Sequence, residues 1–269
     1  MALPPVAARP VTDLVRCILA PNPGPMTLEG TNSYLIGRPG AGTVVVDPGP
    51  DDERHLAALA AAGDIELILI THRHPDHTDG AARLRAMTGA PVRAADAAYC
   101  HGGGPALDRP EHILAAGVLI DVLPTPGHTD DSVSFHLPGD GAGGSVLTGD
   151  TILGRGTTVI AHPDGNVGDY LTSLDVLQAL GSCRVLPAHG PQRDDLAELC
   201  REYRTHRLQR LDQIRAALAG LGGGATVDQV VAAVYTDIAP EVRPAARRSV
   251  AAQLQYLRRE KTSGKTTAG

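Results

Sequence analysis

The chain is poor in aromatic residues. It has no tryptophan, and Phe135 is the one phenylalanine among its 269 residues. Aliphatic side chains must therefore fill the interior, and a hydrophobic content of 42% is ordinary for a globular protein. A chain of this length forms one large domain, or one large and one small domain.

Other absences exclude whole classes of protein. The four cysteines show neither metal-site nor redox spacing, which predicts reduced thiols rather than a disulfide framework. No run approaches the roughly 20 apolar residues that span a bilayer, and residues 1–10 lack the apolar segment of a secretory signal. We expect a soluble, cytoplasmic protein, and the sequence predicts no membrane or protein partner. The cysteines are Cys17, Cys100, Cys183 and Cys200.

Charge is distributed unevenly along the chain. The formal net charge of −6 gives no sign of nucleic-acid or membrane binding by the chain as a whole. Residues 1–190 hold 11 basic and 21 acidic residues, whereas residues 191–269 hold 13 basic and 9 acidic. This change of sign predicts two domains, residues 1–190 and residues 191–269.

Strand-like and helical patterns alternate through the first 190 residues. Runs 33–36 and 43–46, separated by a Gly- and Pro-containing turn, predict a hairpin. Helical patterns cover residues 52–62 and 79–88. Helices that alternate with strands must cover the sheet faces, so the pattern predicts an α/β or layered α+β domain. The other predicted strands are residues 65–70, 92–95, 118–123, 133–137, 144–147 and 184–186.

Residues 71–77 place three imidazoles and one carboxylate between a predicted strand and a predicted helix. Positions i and i+2 of an extended chain share a face, so His72 and His74 can point at one target. The turn that follows can direct Asp76 and His77 at a second target close by. Mixed imidazole and carboxylate ligands bind borderline-soft divalent ions, zinc above all.

Three later strands each end in a ligand-type residue beside a glycine. These residues are His128, Asp150 and His189. Together with residues 71–77 they make seven ligands, more than one tetrahedral zinc requires. The number suits two ions roughly 3.5–4 Å apart that share a carboxylate. We expect two Zn²⁺, and the same ligands also accept Mn²⁺, Fe²⁺ or Co²⁺.

Asp47 ends a predicted strand beside the same site and has two interpretations. Its carboxylate can accept a proton from a ligand imidazole, or it can form a turn or cap the helix that follows. The six remaining histidines lack a comparable setting, and we interpret them as ordinary surface or core residues. They are His55, His101, His112, His136, His162 and His206.

The order His-x-His-x-Asp-His, Gly-His, Gly-Asp and a late His-Gly resembles the metallo-β-lactamase superfamily. The resemblance covers nearly all of residues 20–190 and implies an αβ/βα sandwich with the site at one edge of two sheets. It also implies a zinc-dependent hydrolase with a metal-bridging hydroxide, which Asp76 orients, and with Asp150 as the bridging ligand. In this assignment the first zinc is held by His72, His74 and His128, and the second by Asp76, His77 and His189.

The aspartate at position 150 is similar to the thioesterase and nuclease branches, so β-lactam hydrolysis is expected only as a side activity. Residues 22–25, 30–35, 125–131 and 149–158 resemble the β-lactamase-like protein 2 group. That resemblance implies an endoribonuclease acting on single-stranded RNA, with a glyoxalase II-type thioester hydrolase as the alternative. A nucleic-acid-binding regulator is the non-enzymatic alternative. Near the expected site lie Thr129, Thr157 and Thr158, as candidates for substrate contact.

Residues 191–269 predict three helices, at 191–219, 227–235 and 240 to about 261. They resemble the winged-helix-like appendage of the same family group, although the tail from residue 262 lacks strand alternation and predicts no full wing. Basic residues on the third helix are interpreted either as a phosphate-binding face or as a solvated face that supports the active-site rim. The predicted apolar face comprises Ala246, Val250, Leu254 and Leu257, and the opposite face Arg248, Gln255 and Arg259.

Overall fold

A computed structural model describes residues 7–266 of the chain. Within them, two sheets are built from eleven strands. The strands are β1 (Arg9–Pro10), β2 (Val15–Leu19), β3 (Asn32–Ile36), β4 (Thr43–Val46), β5 (Ile65–Leu69), β6 (Val92–Arg93), β7 (Glu111–Ala115), β8 (Val118–Pro124), β9 (Val133–Leu137), β10 (Ser145–Gly149) and β11 (Arg184–Pro187).

The same residues contain seven α-helices and two short 3₁₀ turns, at Ala97–Tyr99 and Pro240–Val242. The α-helices are α1 (Glu53–Ala60), α2 (Pro75–Thr78), α3 (Ala81–Thr88), α4 (Val167–Gln178), α5 (Leu196–Leu221), α6 (Val227–Val234) and α7 (Arg243–Thr266).

Each sheet mixes parallel and antiparallel pairs. The first has the strand order β1-β2-β3-β4-β5-β6, and the second has the order β11-β10-β9-β8-β7. Strands β4, β5 and β6 run parallel, as do β10 and β11, whereas all other neighbours are antiparallel. Parallel neighbours require crossover helices, which explains why α1, α3 and α4 cover the outer faces of the sheets.

Three apolar clusters define the layers of the fold. Val44 and Val46 point into the cluster between the two sheets, together with Phe135. Val45, between them in sequence, points the opposite way into the cluster beneath α1 and α3, because successive side chains of a strand alternate. The third cluster joins the second sheet to α4 and to the C-terminal helices, where Val250 is fully buried. The expected αβ/βα sandwich is therefore confirmed.

Most of the predicted elements are present with small shifts at their ends. The predicted hairpin is β3 and β4, paired antiparallel with Tyr34 opposite Val46. The predicted helix 191–219 starts too early, because residues 191–195 form a loop in which Arg193 pairs with the backbone of Val185. Helix α5 begins after Asp195, whose side chain accepts a hydrogen bond from the Glu198 amide at 2.9 Å. This bond satisfies an otherwise unpaired N-terminal amide.

The third C-terminal helix is longer than predicted. It starts with a 3₁₀ turn at Pro240–Val242 and continues as α7 to Thr266. The predicted apolar face is buried as expected. Within residues 7–266 no strand follows β11, so the described helices carry no wing; residues 267–269 of the predicted tail lie outside them. The division into two domains at residue 190 stays a prediction.

Strands β1, β2 and β7 and helices α2 and α4 are missing from the predicted elements. Helix α4 nevertheless carries a clear signal, because its buried residues recur at helical spacing and the Asn166 side chain caps its N-terminus. In the described part of the chain, no helix is both long and apolar enough to cross a bilayer. The prediction that the chain lacks a secretory signal used residues 1–10. Residues 1–6 of that segment lie outside the described range.

Candidate metal centre

Four strand ends from the two sheets bring the seven predicted ligands together. The loop after β5 and helix α2 carry four of them, and the loops after β8, β10 and β11 carry one each. Three groups of side chains present ligand atoms within 4.8 Å of one another. They are His72, His74 and His128; His72, His77 and Asp150; and Asp76, His77 and His189.

The first group is a ring of three imidazoles. The Nδ1 atom of His74 lies 3.0 Å from Nε2 of His72 and 3.0 Å from Nε2 of His128. Ligand nitrogens of a tetrahedral zinc stand about 3.3 Å apart, because the Zn–N distance is about 2.0–2.1 Å. The ring is therefore close to the size that one zinc ion needs.

The second group lies beside the first and includes a carboxylate. Oδ2 of Asp76 is 3.1 Å from Nε2 of His189 and 3.4 Å from Nε2 of His77. Asp150 stands between the groups. Its Oδ1 lies 3.3 Å from His189 Nε2 and 3.6 Å from His77 Nε2, whereas its Oδ2 lies 3.6 Å from His128 Nε2. One carboxylate thus faces both groups.

Hydrogen bonds on the far side of three imidazoles determine which nitrogen faces the centre. Nδ1 of His77 bonds to Asp47 Oδ2 at 2.8 Å, Nδ1 of His189 to the Gly30 carbonyl at 3.1 Å, and Nδ1 of His128 to the Val159 carbonyl at 2.7 Å. Each acceptor requires a proton on Nδ1, so Nε2 is the nitrogen that faces inward and is available to a metal.

Three of the inward-facing atoms lack protein partners. Among residues 7–266, the buried atoms without a hydrogen bond include Nε2 of His77, Nε2 of His189 and Oδ1 of Asp150. Buried polar atoms left unpaired are costly, and these three converge from α2 and from the loops after β10 and β11. A divalent cation satisfies all three at once, so the residues present fit a metal.

Protonation differs between the two groups. Burial lowers the pKa of His72 well below its ordinary value, and nearby His77 and His128 lower it further. Burial and the same neighbours lower the pKa of His74 to about 4. Both imidazoles are neutral at pH 7, as a metal ligand must be.

The second group holds its protons more tightly. Burial lowers the pKa of His77, but Asp47, together with Asp76 and Asp150, outweighs burial and raises the pKa well above its ordinary value. For His189 burial is likewise outweighed, chiefly by Asp150 and Asp76, so its pKa is raised. A cation bound by this group must displace protons, so binding there releases them.

Asp47 forms a hydrogen bond with the His77 imidazole and does not cap helix α1. Its buried carboxylate accepts hydrogen bonds from the amide of Thr71 at 2.8 Å, the hydroxyl of Thr71 at 2.7 Å and Nδ1 of His77. The helix cap is Asp52. The alternative interpretation of Asp47 as a cap is therefore wrong. Its φ of 52° is left-handed, which aspartate and asparagine tolerate better than most residues.

Asp47→Asn is expected to weaken metal binding by the second group about 10–100-fold, the usual effect of losing an outer hydrogen-bond partner. Asparagine keeps the left-handed backbone, but its neutral amide orients the His77 ring less strongly. Chelator-competition titration of metal-free protein measures the change. Asp51→Asn, which alters an exposed aspartate paired with Arg83, is the control. Equal affinities for the two variants would contradict the role of Asp47.

Glycine is required before His128. Gly127 has a φ of 137°, and a Cβ built there would lie 2.4 Å from Cα of Tyr170 in α4. Any side chain would push the loop away from the helix and move His128 with it. This contact explains why the ligand is preceded by glycine in the sequence.

The three predicted threonines have different surroundings. The buried hydroxyl of Thr129 bonds to Ser132 Oγ at 2.7 Å, inside the turn. Thr158 Oγ1 lies 3.1 Å from Nδ1 of His128, and Thr157 is half-buried beside it. The structure therefore places Thr158 behind a ligand imidazole.

Two residues near the centre are missing from the predicted set. Thr71 connects Asp47 to Nδ1 of His72, which lies 3.1 Å from its hydroxyl. Arg73, between two predicted ligands, bonds to Asp130 at 2.6 Å and to Asp164. It thereby ties together three loops around the first group. The signal in the sequence was only their position inside residues 71–77.

The other histidines lie outside these groups. His55 Nε2 bonds to Ser33 Oγ at 2.8 Å in the core. His112 and His136 both bond to Asp121 on the second sheet. In the described residues, all three candidate metal groups come from the predicted seven ligands.

Comparison with known proteins identifies the family. Residues 26–189 match the family described as the Metallo-beta-lactamase superfamily. The chain belongs to this superfamily. Residues 226–262 match the Beta-lactamase associated winged helix domain, so the predicted C-terminal appendage is confirmed. Helix α5 lies between the two matched segments.

Two curated relatives cover most of this superfamily member. A Beta-lactamase-like protein 2 homolog of Caenorhabditis elegans is 33% identical over 92% of this chain and 85% of its own length. An Atrochrysone carboxyl ACP thioesterase of Aspergillus chevalieri is 34% identical over 89% of this chain and 79% of its own. The chain is thus similar, across most of its length, to relatives that are named for different functions.

Solved structures share the fold. A metallo-beta-lactamase family protein of Thermus thermophilus superimposes with a TM-score of 0.75 at 23% identity, covering 92% of this chain and 94% of that one. TTHA1623, solved in a di-iron-bound form, has a TM-score of 0.53 at 28% identity over 71% of this chain and 96% of its own.

Proposed function

We propose that the chain is a hydrolase that uses two divalent cations. The observation that carries this proposal is Asp150, whose two oxygens face two separate ligand groups while buried polar atoms around it lack partners. The di-iron form of TTHA1623 supports a two-metal site. Zinc suits the imidazole-rich ligand set, with iron, manganese or cobalt as alternatives.

His72, His74 and His128 would hold the first ion, and Asp76, His77 and His189 would hold the second. Asp150, which faces both groups, would contribute to either. Bound there, two such ions supply a nucleophilic water near neutral pH and polarise a carbonyl or phosphoryl oxygen of the substrate.

Asp76 orients the attacking water by accepting a hydrogen bond. Burial raises the pKa of its carboxyl, but the nearby imidazoles of His189 and His77 outweigh burial and hold that pKa well below the usual range. The Asp76 carboxylate is therefore ionised at neutral pH. Ser or Cys nucleophiles are not needed for this chemistry.

Thioesters are the proposed substrate class. Two of the relatives are named as Atrochrysone carboxyl ACP thioesterases. Cations near the centre are already paired: Arg73 with Asp130 and Asp164, and Arg155 with Glu29. A polyanion such as RNA draws most of its affinity from cations that neutralise phosphates, and these pairs leave few of them at the centre.

Single-stranded RNA cleavage is the second candidate. It is supported by the similarity to the Beta-lactamase-like protein 2 homolog and by the winged-helix match. On α7, Arg248 is exposed, and its carbonyl accepts a hydrogen bond from the His162 amide at 3.2 Å. That contact joins α7 to the loop that carries Asp164, and so favours the interpretation of α7 as a support for the rim.

A parallel assay separates the candidates. Zinc-loaded protein is given an acyl thioester panel that includes a glutathione thioester, a labelled single-stranded RNA and a chromogenic β-lactam. We expect thioester hydrolysis that falls on the order of 10³-fold in Asp76→Asn, with the variant still folded by circular dichroism. His128→Ala should behave in the same way.

Each alternative has its own outcome in this assay. RNA cleavage that depends on Asp76, without thioester hydrolysis, would replace the proposed substrate by the second candidate. Steeply salt-dependent binding of duplex nucleic acid without turnover would favour the regulator. Turnover unchanged in both variants would contradict the hydrolase itself.

A further inference from the structure

Arg207 is a buried cation in the middle of α5. Its side chain is among the buried charged groups, with a relative exposure of 4%. No carboxylate pairs with it among the residues that the structure describes. Burying an unpaired charge is costly unless hydrogen bonds compensate. The guanidinium instead donates from Nη2 to the backbone carbonyl of Thr158, and lies 5.3 Å from the centre of the Tyr170 ring.

The acceptor of this bond, Thr158, belongs to a segment that contacts the candidate metal centre. The Thr158 hydroxyl lies 3.1 Å from Nδ1 of His128, and the carbonyl of the next residue, Val159, lies 2.7 Å from the same nitrogen. Arg207 therefore holds the backbone of the two residues that orient the His128 ring. Imidazole orientation controls where the lone pair of Nε2 points.

A second contact from the same helix holds the same loop. The Tyr203 hydroxyl accepts a hydrogen bond from the Leu153 amide at 3.0 Å and lies 3.1 Å from the Leu153 carbonyl. Tyr203 and Arg207 are four residues apart and so lie on one face of α5. Helix α5 thus holds the loop after Asp150 at two points, although it lies outside both segments that match known families.

We propose that Arg207 is a positioning residue for the first metal group, acting through Thr158 and Val159 on His128. Helix α5 then does more than connect the sandwich to the C-terminal appendage, because it sets the geometry of a ligand. This inference rests on the proposed two-metal site.

Metal affinity, measured without substrate, tests this role. Metal-free protein is titrated with Zn²⁺ against a chelator and, separately, with Co²⁺ by absorption. Arg207→Met is expected to weaken one of the two sites about 10–100-fold and to leave the other within about twofold. Arg207→Lys restores part of the loss because it keeps a donor. Thr158→Val, which removes the hydroxyl but keeps the carbonyl, weakens the same site less.

Arg204→Met is the matched control. Arg204 also lies on α5 and donates to a backbone carbonyl, that of Leu171 at 2.8 Å, but its contacts are with α4. A double variant identifies the site affected. Adding Arg207→Met to His128→Ala should cause no further loss of affinity, since both changes act on one ligand.

The outcomes are distinct. Folded Arg207→Met with both affinities unchanged overturns the inference, and so does an equal loss at both sites that Arg204→Met reproduces. If Arg207→Met does not fold, Arg207→Lys and Thr158→Val decide in the same titration, and unchanged affinities in both overturn the inference. Wild-type protein that binds fewer than two ions contradicts the proposed function instead.

Discussion

Asp150→Asn is expected to lower kcat/KM on the order of 10³-fold, which corresponds to about 4 kcal/mol of transition-state stabilisation. The carboxylate has one oxygen 3.3 Å from His189 Nε2 and the other 3.6 Å from His128 Nε2. Asparagine offers an oxygen to one group, but its NH₂ repels a cation at the other. Metal content per chain should fall from two towards one, as measured by mass spectrometry of dialysed protein.

Asp121→Asn is a well-matched control for this substitution. Asp121 also lies between two histidines, His112 and His136, but on the outer face of the second sheet. Both substitutions replace the carboxylate of an aspartate that lies close to two histidines. A comparable loss of activity in both would show that the effect of Asp150→Asn is a general loss of folding. Full activity of Asp150→Asn with two bound ions would contradict the shared-ligand assignment.

Removal of the metal is expected to abolish hydrolysis and to destabilise the fold. A ligand present at 100 times its Kd contributes about 2.7 kcal/mol to the free energy of unfolding. For a chain of this size, the loss of one ion should therefore lower Tm by roughly 5–10 °C. Calorimetry before and after dialysis against a chelator measures the change.

The choice of metal makes this experiment specific. Zn²⁺ or Co²⁺ should restore both Tm and activity, because five imidazoles dominate the ligand set. Mg²⁺ should not, since it prefers oxygen ligands and keeps its waters. Recovery with Mg²⁺ alone, or a Tm unaffected by the chelator, would contradict a metal site built from these residues.

The fold was predictable where the sequence pattern is local. The strand that precedes His72 is an apolar run, and Asp47, His128, Asp150 and His189 each follow such a run. Strand ends of a layered sheet meet at an edge, so their convergence could be expected without coordinates. Helix α4 carried an equally local signal in its apolar spacing and in Asn166.

Other features had no local signal. The burial of Arg207 and its bond to Thr158 join residues 49 positions apart, and no pattern around either residue indicates the contact. The role of Asp47 was open between two interpretations for the same reason. The local sequence around an aspartate that precedes a helix is the same in both cases. It does not distinguish an aspartate that caps the helix from one that accepts a hydrogen bond from His77.

The sequence by itself determined the kinds of ligand, their positions at strand ends and the number of ions they suit, because these follow from residue chemistry and short-range periodicity. Only the tertiary structure decided which nitrogen of His77, His128 and His189 faces the centre. Each choice is made by an acceptor on a distant segment, at Asp47, Val159 and Gly30. Two of these acceptors are backbone carbonyls, which every residue has, so the sequence cannot reveal them.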